Sequence, residues 1–122
     1  MRKILTTQDE APASKAAADL LKALLLLYGS AWESELKDML MTIWSFRGLN
    51  LDEIGALQSA LAEAESMLSE KGIIKVEARL RGDLSKSEPI REKLYSTDHL
   101  YLLMKLLSGD RELDKLRFQL QQ

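Results

Sequence analysis

The 122-residue sequence predicts a mainly α domain with one small β-hairpin, an α+β fold, and the hydrophobic period predicts it twice over. Apolar residues recur at helical spacing as far as Gly72, alternate singly from Ile74 to Leu80, and return to helical spacing after Thr97. The composition agrees: 46% hydrophobic and 30% charged residues lie in the ordinary globular range, and the length suits one domain with a core of its own.

Residues 1–13 carry Thr6, Thr7, Gln8, Asp9, Glu10 and Pro12 without sustained period, which predicts a flexible or extended arm. Ser14 is the expected cap of a first helix. Along it Ala17, Leu20, Leu21, Leu24, Leu27 and Tyr28 form the apolar side, Lys15, Asp19 and Lys22 the wet side, and Gly29 the stop. The segment from Leu24 to Leu27 is apolar all round, as in a heavily covered helix. Ser30 is the expected cap of a second helix, with Trp32, Leu36, Met39, Leu40, Ile43 and Trp44 on one face. Asn50 or Asp52 caps a third, whose stripe is Ile54, Leu57, Leu61, Ala64 and Leu68. Ile74, Val76, Ala78 and Leu80 then alternate with charged residues as a half-buried strand. After a turn-rich stretch from Gly82, Ile90 to Ser96 returns as the second strand of the hairpin. Thr97 or Asp98 caps a further helix, broken at Ser108-Gly109-Asp110 and continued through Leu113, Leu116 and Leu120.

Several chemistries are excluded early. Without Cys there is no disulfide scaffold, Cys-based zinc site or thiol nucleophile. His99 is the single histidine, and Asp98 beside it cannot orient its ring, because i,i+1 neighbours on a helix point apart. No catalytic residue, metal or cofactor is expected, and an enzyme is not the reading. The longest apolar run, Ala23 to Tyr28, is too short to span a bilayer, and the polar residues after Leu5 do not continue as a signal peptide would. The expected compartment is the cytoplasm. Arg81-Gly82-Asp83 reads as a turn, Trp32 and Trp44 as core, and Met39, Met41, Met67 and Met104 as gap-filling core residues.

Three helices followed by a hairpin, with LLKALLLLYG ending the first helix, WESEL opening the second from Trp32 to Leu36, and SMLSEKGII leading into the strand, resemble winged helix-turn-helix regulators of the PadR and MarR kind. The resemblance covers about 78 residues, from Leu20 to Thr97. It implies a winged-helix domain over 14–97 and C-terminal dimerisation helices over 98–122. A homodimer would then pair through Leu100, Leu103, Met104, Leu107, Leu113, Leu116 and Leu120. Leu100 to Leu107 is in any case more apolar than one packing face requires.

In a DNA-binding winged helix the third helix enters the major groove and the wing touches the backbone. Residues 71–95 hold seven cations against four carboxylates and form the only net positive stretch. Phosphate clamping is therefore expected from Arg79, Arg81, Lys86, Arg91 and Lys93, a further backbone contact from Arg47, and base contacts from Gln58 and Ser59, in a transcriptional regulator of double-stranded DNA. The third helix departs from the family pattern. Residues 51–70 hold five carboxylates and no Lys or Arg, which opposes the counterion release that drives DNA binding. Its outer face presents Gly55, Ser59, Ala62 and Ser66, small residues that let another helix approach or line packing against the chain's own C-terminal helix. The alternative is a winged-helix module that binds protein through that acidic, small-residue face.

Overall fold

A computed structural model describes residues 1–82 and 90–120. Its elements run α1 (Arg2–Thr6), α2 (Pro12–Leu26), β1 (Ser30–Trp32), α3 (Glu33–Phe46), α4 (Leu51–Glu70), β2 (Lys75–Arg81), β3 (Ile90–Ser96), α5 (Leu100–Leu106) and α6 (Arg111–Leu120). The architecture is mainly helical with a small antiparallel sheet of order β1-β3-β2, consistent with the α+β expectation.

Helix α2 lies at the centre. Ala16, Ala17, Leu20, Leu21, Ala23 and Leu24 are buried there with Leu40 and Ile43 of α3, Ala64 and Leu68 of α4, and Leu103 of α5. Pro12 starts the helix at its first position, where the missing N–H is lost to no bond, so the helix begins two residues before Ser14. The expected arm is shorter than 13 residues, because Ile4 is buried against the core and holds α1 in place.

The turn after α2 differs from the sequence reading in an informative way. The Gly29 N–H bonds to the Leu24 carbonyl at 2.7 Å, and both Tyr28 (φ 62) and Gly29 (φ 90) take the left-handed conformation. The redirected chain brings Ser30 to Trp32 alongside β3, so Ser30 is a strand residue and not a helix cap. Trp32 is half-buried on the sheet, whereas Trp44 is fully in the core. The expected hairpin is present: β2 pairs with β3 from Lys75 opposite Ser96 to Arg81 opposite Ile90.

Leu103, Leu107, Leu113 and Leu116 are buried in this chain's own core, which corrects their assignment to a dimer surface. Their apolar excess is used to cover α2 and α3. Met104 and Leu120 remain exposed, Leu100 is half-buried, and Met41 and Met104 are surface residues and not core fillers. At the start of α5 the cap position belongs to His99, while the Thr97 hydroxyl accepts from the His99 amide and donates to the Ile73 carbonyl. No described helix is long and apolar enough to cross a membrane.

Candidate nucleic-acid interface

Helix α4 is the expected base-reading element. Asn50 Oδ1 accepts from the Glu53 amide at 2.8 Å and Glu53 Oε1 from the Asn50 amide at 3.2 Å, a reciprocal capping box that fixes where the helix starts. Ile54, Leu57, Ala64 and Leu68 turn inward, leaving Asp52, Ala56, Gln58, Ser59, Ala62, Glu63 and Ser66 exposed. The small residues do not pack under the C-terminal helices; they face outward. Gln58 reaches sideways to Met41, its Nε2 lying 3.7 Å from Sδ, and Ser59 is open.

The strand register sorts the hairpin residues by face, since paired residues project to the same side. Val76, Ala78 and Leu80 share a face with Tyr95, Lys93 and Arg91, the face that meets α4. There Lys93 Nζ lies 3.5 Å from Glu65 Oε1, and the Tyr95 hydroxyl donates to Glu65 Oε2 at 2.7 Å. Burial, with the Glu65 and Glu33 carboxylates beside it, holds the Tyr95 phenol protonated well above its ordinary range.

The opposite face carries Lys75, Glu77, Arg79 and Arg81 with Glu92. Arg79 binds Glu77 at 2.7 Å, and Lys75 lies 3.9 Å from the same carboxylate. Arg81 donates to Glu92 Oε2 at 3.1 Å and to Ser34 Oγ at 3.0 Å, and its guanidinium sits 5.4 Å from the centre of a Trp32 ring. Glu92 Oε1 in turn accepts the Ser34 amide at 2.7 Å, so a strand carboxylate caps the first turn of α3. Hydrogen bonds from Ser34, then Arg81, hold the Glu92 carboxyl below its ordinary range. Arg91 is exposed; Lys86 lies outside the described residues.

Arg47 is not at the surface expected for a phosphate contact. Its NH1 and NH2 donate to the two oxygens of Asp19 at 3.0 and 2.9 Å, and its Nε and NH2 to those of Glu112 at 3.0 and 2.8 Å. Asp19 is fully buried and also accepts from Trp44 Nε1 at 3.0 Å. Lys22, also buried, lies 3.5 Å from Asp110 and 3.6 Å from Glu112. Burial pulls the Arg47 guanidinium toward neutrality, but Glu112 and Asp19 outweigh it and its pKa stands above the usual value. The wet side expected of α2 is thus an internal charge network closed by α3 and α6.

Comparison with known protein families, with curated proteins and with solved structures finds no match for this chain. The geometry alone therefore sorts the expected contacts. Arg79, Arg91, Lys93, Gln58 and Ser59 reach solvent on or beside the hairpin, Arg81 is half-buried in a bridge to α3, and Arg47 is built into the body. Over α4, β2 and β3 five cations stand against seven carboxylates. Among the described residues no group of three or more His, Asp or Glu is placed to hold a metal ion.

Proposed function

We propose that this chain is a winged-helix module that works by binding protein, through the exposed acidic face of α4, and that its preferred partner is a cationic segment. The α2-β1-α3-α4-β2-β3 succession with strand order β1-β3-β2 supports the winged-helix assignment, α1 and α5–α6 being additions. One observation carries the functional reading: α4 offers solvent no cation, while Arg79, Arg81 and Lys93 of the hairpin each lie against a carboxylate of their own chain. A polyanion meeting this surface would encounter net negative charge at the helix meant to approach it.

DNA binding by the wing is the second reading, favoured by the exposure of Lys75, Arg79 and Arg91 along the hairpin. Exposed ion pairs such as Arg79 with Glu77 are weak, about 0–1 kcal/mol, and phosphate could displace them. Fluorescence anisotropy separates the two. The protein-binding reading expects no measurable affinity for random duplex DNA at low salt, and saturable binding of a Leu- and Lys-rich amphipathic peptide that Glu63→Arg weakens. A steep salt slope with DNA, about −0.9 per phosphate neutralised and smaller in Arg79→Ala/Arg91→Ala, would establish the second reading instead.

A further inference from the structure

A surface away from α4 carries a separate inference. Two hollows, of about 410 and 550 Å³, share Leu120 as a common wall. Both fall within the roughly 300–1,000 Å³ of small-molecule sites, which are mostly apolar with a few placed polar groups. The first lies between the end of α2, α5 and α6. Leu25 is buried at its base, Leu26 and Leu100 are half-buried, and Met104 and Leu120 are exposed around it. The second lies between α3 and α6, and adds Met41, Phe46 and Leu116 with three uncharged polar side chains.

Charge then narrows what the hollows can hold. In a chain that is 30% charged, Arg117 is the single charged side chain lining either one. Arg79, Lys93 and Lys37 each face a carboxylate of their own chain. Arg117 makes no ion pair among the described residues, although Asp114 stands one turn before it on α6. An apolar lining with one cation and no anion complements a molecule with one anionic end and a hydrocarbon body, and a guanidinium suits a carboxylate because it can bond both oxygens. Shape narrows the class further. A rigid ring system fills one hollow and stops at Leu120, whereas a flexible chain passes from one hollow into the other.

We infer that this band binds a straight-chain fatty acid, its carboxylate on Arg117 and its acyl chain laid along the two hollows past Leu120. The site is independent of the reading given to α4, with which it shares no residue.

Isothermal titration calorimetry on the full chain tests it, with dodecanoate, dodecanol and dodecyltrimethylammonium below their aggregation concentrations at about pH 8, where a carboxyl is ionised. Dodecanoate is expected to bind saturably, one molecule per chain, with the alcohol weaker and the cationic amphiphile weaker still. Shortening the acid should lower affinity roughly two- to fourfold per methylene, as for a partly to fully buried CH2 group. Arg117→Gln should weaken dodecanoate about fivefold or more and leave dodecanol unchanged. Arg117→Glu should reverse the order of the acid and the cationic amphiphile, and Met104→Glu should weaken both dodecanoate and dodecanol. Both side chains are exposed, so the circular dichroism of each variant should match the wild type. Equal affinity for the three amphiphiles, or an Arg117→Gln protein that binds dodecanoate as well as the wild type does, would overturn the inference. So would an absence of saturable binding, light scattering then giving the chain mass for an empty band and twice that mass for one covered by a second copy.

Discussion

Asp19 has no solvent contact, and its two oxygens are satisfied by Trp44 and the fork of Arg47. Removing one partner of such a pair strands a buried charge, so Arg47→Met should destabilise the fold by about 3–5 kcal/mol in denaturant unfolding. Arg47→Lys should recover little, because an ammonium cannot span Asp19 and Glu112 with paired bonds. Arg47→Met combined with Asp19→Leu should recover only part of the loss: no lone Asp19 charge is left inside, but the buried Trp44 Nε1 loses its acceptor, at a cost of about 1–3 kcal/mol. None of this was legible from the sequence of α2. A charge on an amphipathic helix usually faces water, and the partners that bury Asp19 and Lys22 arrive from far along the chain, Arg47 lying 28 residues from Asp19 and 65 from Glu112. The one available signal was that the segment from Leu24 to Leu27 is apolar all round, which marks the C-terminal half of α2 as covered on every side.

Helix α3 has no side-chain cap at Trp32, and its amides are taken by two glutamates instead. Glu35 accepts the Trp32 amide at 3.1 Å, and Glu92 takes that of Ser34 from across the sheet. Glu92→Ala should therefore destabilise the start of α3, and should speed hydrogen exchange at the Ser34 amide more than at amides in the middle of α3. The hairpin itself was readable because its alternation runs the full length of β2, although only the Val76 end of that face is covered and Ala78 and Leu80 are exposed, against the half-buried strand expected. Strand β1 was not, since three residues are too few to show a period, and the left-handed backbone at Tyr28 that aims them at β3 leaves no mark in an aromatic residue. The start of α4 was legible to within two residues, Asn50 or Asp52 being the expected cap, and the reciprocal bonds of Asn50 with Glu53 decide for Asn50.

At the scale of the molecule, much of the charge is spent joining elements: Arg47 and Lys22 tie α6 to α2 and α3, and Arg81 with Glu92 ties the hairpin to α3. Acid should loosen these ties in a defined direction. Bonding from Arg47 holds the Glu112 carboxyl below its ordinary value of 4.5, and Glu92 is lowered likewise. The unfolded chain then binds more protons than the folded one over the window beneath that value, so stability is fully present above about pH 4.5 and is lost as pH falls through the folded-state pKa values. Melting temperature followed from neutral pH to acid should fall mainly in that window, and Glu112→Gln should show a flatter acid limb from a lower starting point. Part of the expected interaction surface was legible: the exposed hairpin cations and the acidic α4 stand where sequence placed them. The C-terminal leucines were not, because an apolar stripe reads the same whether a chain covers it with itself or with a twin. The strand order has one further result. With β3 in the middle, β2 offers an open row of peptide groups along its outer side, which Lys75, Glu77, Arg79 and Arg81 guard with charge. Neighbouring molecules are thereby discouraged from zipping backbone to backbone into a continuous ribbon, and encounters between copies are left to side chains.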